Sequence, residues 1–325
     1  MMYKVIFCVL LPGMLLFSMA VKGSIRDAIV RLPVSDTLLL LGDSAFEKGL
    51  VLKGTNTNAV CRDRFIFPFG ENNGRAQWEL AEWGSRFQLA GIKRRIHRKR
   101  IIYATRGKKI AFEKPAGNCR VAMNVTASDE YPVPRKAGED WAHLLVEQTF
   151  TKKPYLKDLE ALIFKFSGRL TKAVLRMKKK DFDPGLHTAQ FQLFITVQDL
   201  NPASPNHGDF LWFGIPFYDY RYKDIRMYAA QDLGKSDATG KFIYSMGSAD
   251  FMKGSFHSGA WITIYKDILP MMKDAVKLAK QRGYLKGSAI EDLGVSSMNL
   301  GWEVPGTLDV GFEFKGLDLL GVLRP

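Results

Sequence analysis

The chain has few cysteines and none of the common catalytic or metal-binding motifs. Only three cysteines occur among 325 residues, so this is not a disulfide-dense scaffold. There is no glycine-rich phosphate loop, no His-Glu-x-x-His, no Gly-x-Ser-x-Gly and no EF-hand loop. The five histidines are scattered without the spacing of metal ligands. Nucleotide, redox and zinc-protease functions are therefore disfavoured. The sequence identifies no metal ligands, and it leaves the cofactor unknown.

Long apolar runs are also scarce, and the one that exists lies at the start of the chain. Lys4 precedes an apolar run from Val5 to Phe17, and a small-x-small signal ends at Ala20. This is the layout of a secretory signal peptide, and the run is shorter than the ~20 residues that span a bilayer. We expect residues 1–20 to be cleaved, so that a periplasmic or extracellular protein starts near Val21. The alternative is an uncleaved anchor; no later segment is apolar enough for stable membrane insertion.

Residues 21–325 contain no repeat, low-complexity tract or linker, and we expect them to form a single domain. Two cysteines remain in this part of the chain, Cys61 and Cys119. Export would permit a disulfide between them. Two buried thiols are the other interpretation, and the sequence leaves both open.

Basic residues exceed acidic ones, which gives a formal net charge of +14. Part of the excess lies in a basic block from Lys93 to Arg100 and another from Lys178 to Lys180. Each block is either a solvated edge or a specific anion site. For an exported protein the basic balance favours acidic polysaccharides over nucleic acid as partners. We therefore expect acidic glycans to bind more tightly than neutral ones, in a salt-sensitive manner.

Short runs with alternating apolar residues, separated by turn-rich pieces, dominate the chain and predict many strands. The clearest runs cover residues 142–150, 188–199, 210–219 and 307–314. The pattern predicts an all-β fold, an antiparallel two-sheet β-sandwich of jelly-roll type with one or two short peripheral helices. The residues expected between the sheets are Phe191, Leu193, Ile195, Phe213, Ile215, Phe217, Val310 and Phe312.

Two segments show helical spacing. Pro270 suits the first turn of a helix and Gly283 the position just past its end, so a helix is expected between them. The segment from Trp78 to Leu89 has apolar residues three and four apart, and a helix is the interpretation considered for it.

Amides and aromatic side chains alternate with the core residues on two of the predicted strands. Gln190 and Gln192 lie on one strand, and Trp212 and Tyr218 lie on the next. Amides bind hydroxyl groups through donors and an acceptor, and a flat ring offers an apolar platform for a sugar. The pattern indicates a substrate-binding face for a polysaccharide. The alternative is an ordinary solvated outer face.

Several carboxylates lie out of phase with the core residues. Glu147 has His143 four residues earlier on the same face, Glu303 follows Trp302, and Asp309 lies on the last strand. Glycoside hydrolysis needs two carboxylates on one face, one as the acid and one as the base or nucleophile. Glu147 and Glu303 are the candidate catalytic pair, with His143 and Asp309 as substrate-binding residues. Solvated or ion-paired carboxylates are the alternative.

A polysaccharide lyase would need different groups, namely a cation or amide beside the substrate carboxylate and a His or Tyr as the base. His187 is the candidate catalytic base, and the remaining candidates contact the substrate. These are Gln190, Tyr218, Tyr220 and Arg221. A locally hydrogen-bonded His187 at the start of a strand is the alternative.

The general plan resembles secreted concanavalin A-like lectins and glucanases, which bind, hydrolyse or eliminate polysaccharides on a curved sheet. The resemblance covers roughly residues 25–325 and implies a jelly-roll fold. The alginate-lyase branch uses a Gln-x-His strand, whereas here His187 precedes Gln190. The Glu-x-Asp-x-x-Glu run of the glucanase branch does not occur. The resemblance therefore supplies no catalytic residue, and an enzyme, a glycan-binding protein and an adhesive surface protein stay open.

Overall fold

The computed structural model describes residues 36–54, 60–71, 73–114, 119–233 and 238–325. The expected signal peptide and the cleavage near Val21 lie outside these ranges. Of Cys61 only the backbone is described, so its expected disulfide or thiol state is not tested. Cys119 is a buried thiol, and burial raises its pKa to about 12. Among the described residues, no helix is long and apolar enough to cross a membrane.

Two sheets form the body of the described part of the chain. The first has eight strands, in the order β15 (Ile262–Asp267), β10 (Leu159–Leu175), β17 (Leu308–Leu323), β8 (Arg120–Thr126), β7 (Lys108–Glu113), β6 (Arg100–Ala104) and β5 (Arg95–His97), with β1 (Thr37–Leu39) also paired to β17. The second has nine, in the order β13 (Tyr228–Gln231), β14 (Phe242–Ser245), β12 (Phe210–Asp219), β11 (Gln190–Asp199), β16 (Leu293–Val304), β9 (Ala142–Thr149), β4 (Trp78–Ala81), β2 (Leu50–Lys53) and β3 (Val60–Ile66). The pairs are antiparallel except β12 with β14 and β2 with β4.

The two sheets pack face to face, as the alternating pattern predicts. The ring of Phe191 on β11 stacks on that of Phe312 on β17, with centroids 4.1 Å apart. Phe217 on β12 stacks on Phe166 on β10 at 4.3 Å. All eight residues expected between the sheets are buried. The prediction of an antiparallel two-sheet sandwich is therefore confirmed.

A hydrogen bond also joins the sheets through the core. Trp302 on β16 is fully buried, and its indole Nε1 donates to the backbone carbonyl of Met123 on β8 at 2.9 Å. A buried indole N–H needs such a partner. The bond fixes the position of β16 relative to the opposite sheet, and the next residue along β16 is Glu303.

Strand β12 contains a bulge that changes the direction of its last side chains. Phe191 pairs with Tyr218, but Gln192 pairs with Pro216, so Phe217 is an extra residue. An inserted residue reverses the in-and-out alternation beyond it. Phe217 and Tyr218 are therefore both buried, whereas strict alternation predicts that Tyr218 faces outward. That prediction is wrong because of the bulge.

Helices are peripheral, as expected. Helix α1 covers Ala127–Glu130 and α2 covers Leu269–Gln281, with Pro270 in its first turn. Short 3-10 turns cover Lys179–Asp181, Ser248–Asp250, Phe256–Ser258 and Ile290–Asp292. The predicted helix ending before Gly283 is confirmed.

The helical interpretation of Trp78 to Leu89 is wrong. The segment begins with strand β4, in which Trp78 and Leu80 point into the core while Glu79 is exposed. At Gly84 the backbone has a φ of +63°, and a Cβ there would lie 2.1 Å from the carbonyl oxygen of Trp141. A continuous helix cannot pass through this position.

Candidate functional site

Polar side chains gather on the surface of the nine-stranded sheet that points away from the core, here called the outer face. Strand pairing places Gln190, Glu303 and His143 side by side on β11, β16 and β9. A second row, four residues along, places Asn299 beside Glu147. Neighbouring strands are about 4.8 Å apart, so each row brings distant parts of the sequence into contact range.

Three side chains surround the carboxylate of Glu303. Gln192 Nε2 donates to Oε1 at 3.0 Å, and Trp141 Nε1 donates to Oε2 at 3.3 Å. His143 Nε2 lies 3.5 Å from Oε2. His143 is buried, and its Nδ1 is 2.9 Å from the carbonyl oxygen of Trp141, which orients the ring. The N–H donors of Gln192 and Trp141 favour the ionised form of the Glu303 carboxylate.

Glu147 has a different environment. Its side chain is 14% exposed, and burial raises its pKa above the ordinary 4.5, although Lys53 acts in the opposite direction. Lys53 Nζ lies 3.1 Å from Glu147 Oε2 and 3.2 Å from Glu79 Oε2. A carboxyl group that keeps its proton to a higher pH is suited to act as a general acid.

The two carboxylates lie on the same face of two neighbouring strands. Glu147 is four residues from His143, the partner of Glu303, so their backbones are about 13 Å apart along the strands. Glu303 contacts Gln192 and Glu147 contacts Lys53, and both partners belong to the row between them. Both carboxylates therefore contact side chains that belong to this middle row.

Aromatic rings flank the carboxylates on both sides. On the side of β4, the Trp83 ring lies 5.8 Å from the His143 ring and 5.7 Å from Lys53 Nζ. The Trp141 ring stacks on His143 with centroids 5.6 Å apart. The sequence pattern does not predict either tryptophan as a site residue, because both lie outside the alternating part of a strand. A tryptophan just beyond each strand is the signal that could have identified them.

On the side of β12, the half-buried Trp212 ring meets Phe194 at 6.2 Å and Phe210 at 5.0 Å, both edge to face. Phe194 covers Gly214, where a Cβ would lie 2.7 Å from the ring. Four strand spacings separate β12 from β4, which is about 19 Å across the strands. Strand pairing also places Trp212 six residues along the sheet from the row of His143.

Arg221 and Gln190 meet at one end of the outer face through Asp219, which was not predicted. Arg221 holds the Asp219 carboxylate with two bonds, from Nε at 2.9 Å and Nη2 at 2.7 Å. Gln190 Nε2 donates to it at 3.0 Å and Thr188 Oγ1 at 2.8 Å. The bulge that turns Tyr218 inward turns Asp219 outward, which explains why alternation alone missed it.

A buried ion triad fixes the loop that carries Trp83. Lys108 Nζ lies 3.4 Å from Glu82 Oε1 and 3.3 Å from Glu130 Oε1, and these side chains are at most 1% exposed. The backbone N–H of Leu89 donates to Glu82 at 2.9 Å. Burial raises the pKa of Glu82, and Lys108 opposes that shift. The triad ties the loop to the eight-stranded sheet.

Four predicted site residues lie elsewhere. His187 is buried, with Nε2 2.8 Å from the carbonyl oxygen of Arg135 and Nδ1 accepting from the backbone N–H of Asp183. Both ring nitrogens are thus used in holding a loop. Tyr220 is half-buried, and its ring meets Phe182 edge to face at 5.8 Å.

Tyr218 and Asp309 need correction as substrate-binding residues. Tyr218 packs in the core, 5.9 Å from the Trp302 ring and 4.6 Å from the His257 ring. Asp309 lies on β17 in the opposite sheet, where Arg176 Nε donates to it at 2.7 Å. Alternation predicts that a residue points away from the core, but it does not predict which sheet the strand joins.

No three His, Cys, Asp or Glu side chains gather as metal ligands within the described ranges. The outer face combines two carboxylates in different surroundings with nearby amide side chains and with aromatic rings on both sides. Such a surface can hold a chain of hydroxyl-rich rings through amide hydrogen bonds and ring stacking.

Comparisons with known proteins concern the fold. No protein-family model matches the chain, and no curated protein matches it. Among solved structures, a family 12 xyloglucanase from Bacillus licheniformis aligns with a TM-score of 0.41 at 11% identity, over 71% of this chain and 97% of that chain. The endoglucanase Cel12A from Rhodothermus marinus aligns with 0.35 at 10% identity, over 70% and 95%. The xyloglucanase domain of NopAA from Sinorhizobium fredii, solved with cellobiose, aligns with 0.34 at 12%, over 71% and 96%. These proteins are glycoside hydrolases, and the likeness extends to the sandwich plan alone.

Proposed function

We propose that the outer face binds a polysaccharide and that Glu147 and Glu303 hydrolyse it. The observation that carries this proposal is that two carboxylates with contrasting surroundings lie on one face of neighbouring strands. Pairs of titratable groups whose environments differ in this way serve as the acid and the base of a hydrolytic site.

The contrast assigns a role to each carboxylate. Glu147, whose pKa is raised by burial, donates its proton to the glycosidic oxygen. Glu303, which accepts hydrogen bonds from Gln192 and Trp141, stays ionised and activates a water molecule. Their backbone separation favours the wider carboxyl spacing of about 6.5–9.5 Å that belongs to inverting glycosidases.

The charges of the outer face favour a neutral polysaccharide. Glu147, Glu303 and Asp219 lie on this face, where Lys53 is already paired with Glu147 and Arg221 with Asp219. A substrate carboxylate here would meet like charge at short range, which is unfavourable. The expected preference for acidic glycans therefore finds no support at this face.

The test replaces each carboxylate by the amide of the same shape. Glu147→Gln and Glu303→Gln should each lower kcat at least about 100-fold on soluble neutral glucan, xyloglucan or xylan, the usual contribution of an acid or base. Substrate affinity should stay within about threefold, because the amide keeps most contacts. Glu160→Gln, at an exposed position in the opposite sheet, is the matched control and should keep full activity.

A non-catalytic glycan-binding protein is the second candidate. It is favoured by one observation, that both carboxylates already have partners at rest, Lys53 for Glu147 and Gln192 for Glu303. A binding protein would hold oligosaccharide without releasing products, and the amide variants would then weaken binding instead of turnover. Product analysis of the wild type with each polysaccharide separates the two candidates.

Export of one domain covering residues 21–325 is the setting proposed for this function. It is supported by Lys4, the apolar run that follows and the small residues ending at Ala20. N-terminal sequencing of secreted material should find a start near Val21. An intact Met1 on membrane-retained protein would contradict cleavage.

A further inference from the structure

The second surface of interest is the outward side of the eight-stranded sheet, here called the basic face. It lies on the opposite side of the core from the outer face. Seven cationic side chains on β6, β7, β8, β10 and β17 or directly beside them define it. They are Arg100, Lys109, Arg120, Arg169, Lys172, Arg176 and Lys315.

Two carboxylates lie beneath the cations and hold them in place. The side chain of Asp309 is 3% exposed and that of Glu313 is 5% exposed. Their partners reach the surface: Arg169 is 36% exposed and Arg176 is 49% exposed. Ion pairs with this geometry orient the guanidinium groups but leave the accessible surface positive.

Other cations on this face have donors to spare. Lys109 and Lys315 make no hydrogen bond or ion pair through their side chains within the described ranges. Arg120 Nη1 is paired with Glu113 Oε2 at 3.4 Å, and its buried Nε has no hydrogen-bond partner in the described structure. Burial lowers the pKa of Lys109, and the neighbouring charges of Arg100 and Lys172 lower it further. Crowded cations of this kind are stabilised by an anion.

One aromatic ring stands among these cations. The half-buried Trp261 ring has Arg169 at 5.2 Å, Arg120 at 5.7 Å and Lys315 Nζ at 5.1 Å from its centroid. A flat indole is a platform for the apolar side of a sugar ring. Guanidinium and ammonium groups at the edge of that platform can bind a carboxylate or sulfate on the same sugar.

From this geometry we infer that the basic face is a second carbohydrate site, which takes an anionic polysaccharide carrying uronate or sulfate groups. The sugar ring stacks on Trp261, and Arg120, Arg169 and Lys315 bind its acidic group. Trp261 is the ring that these cations surround, and the next outward ring, Tyr265, lies four residues along the chain beside Lys165. Rings about 13 Å apart do not form the close succession of platforms that single-stranded nucleic acid uses. The inference does not depend on hydrolysis at the outer face, because the two surfaces belong to different sheets.

The experiment measures binding of a galacturonate tetramer to the full secreted protein, with cellotetraose as the neutral probe. Trp261→Ala should weaken galacturonate binding at least about tenfold. The double variant Lys109→Gln/Lys315→Gln should weaken it about tenfold, since each half-buried charge contributes a few-fold. Thermal melting checks that Trp261→Ala is folded, and the lysine variant tests the site independently of that outcome.

A control variant with the same change in net charge distinguishes a specific binding site from general electrostatic attraction. Lys93→Gln/Lys99→Gln removes two exposed lysines at the β5–β6 hairpin, away from Trp261, and should change binding less than about twofold. Equal weakening by both lysine pairs would overturn the inference in favour of net charge alone. Unchanged binding by Trp261→Ala, or duplex DNA bound as tightly as galacturonate, would also overturn it.

Discussion

Replacing Lys108 by methionine tests whether the buried ion triad holds the loop that carries Trp83. Methionine has a similar length but no charge, so Glu82 and Glu130 would share a dry site without a cation. The three side chains are at most 1% exposed in the native protein. Removing one partner of a buried ion pair costs about 3–5 kcal/mol, a large part of the 5–15 kcal/mol that stabilises a typical domain.

The predicted loss depends on pH, and its sign follows from Glu82. Burial already raises the pKa of Glu82 above the ordinary 4.5, and Lys108 limits that rise. An acid whose folded pKa is raised binds its proton more tightly when folded, so stability falls as pH rises from about 4.5 through the folded pKa. Without Lys108 the folded pKa rises further. The variant should therefore be much less stable than the wild type at pH 7 and closer to it near pH 4.5.

Urea unfolding at pH 4.5 and pH 7 measures this difference. Lys109→Met is the matched control, since its side chain lies on the other side of β7 without an ion pair in the described structure; it should change stability by at most about 0.5 kcal/mol. A loss below about 1 kcal/mol for Lys108→Met, or the same loss at both pH values, would refute the reasoning.

Three further predictions concern the outer face. Trp212→Ala should shift Tm by only about 2–4 °C, because the ring is half-buried, yet weaken neutral glycan binding about tenfold; a large fall in Tm with unchanged binding would contradict its role. Lys53→Gln should raise the pKa of Glu147 and, since a general acid acts while protonated, move the alkaline limb of kcat/KM to higher pH. A shift to lower pH would show that Glu147 is not the acid. Gly301→Ala should cost at least about 2 kcal/mol, because a Cβ would lie 2.1 Å from the carbonyl oxygen of Leu144; unchanged unfolding in urea would contradict this.

The alternating pattern predicted the sheets well because burial in a sandwich follows a period of two residues. Phe191 and Phe312 were expected in the core, and their rings stack there. The same rule failed at Tyr218, where a bulge shifts the alternation by one residue. A bulge depends on pairing with a distant strand, which no local pattern reveals.

The candidate site was only partly predictable for a similar reason. Parity identified Glu147 and Glu303 as pointing away from the core, and they share one face. The same parity rule predicted that Asp309 points away from the core and joins this site, although β17 belongs to the other sheet. Trp83 follows strand β4, and Trp141 precedes strand β9. Their positions depend on contacts with His143 that only the folded chain creates.

The distribution of the six tryptophans gives the molecule a built-in set of optical reporters. Trp78 and Trp302 are fully buried and joined to backbone carbonyls, so their fluorescence follows the integrity of the core. Three others, Trp83, Trp141 and Trp212, border the outer face, and Trp261 stands alone on the basic face. A ligand on either sheet should therefore quench a different subset, and one titration with single-tryptophan replacements can identify which surface is occupied.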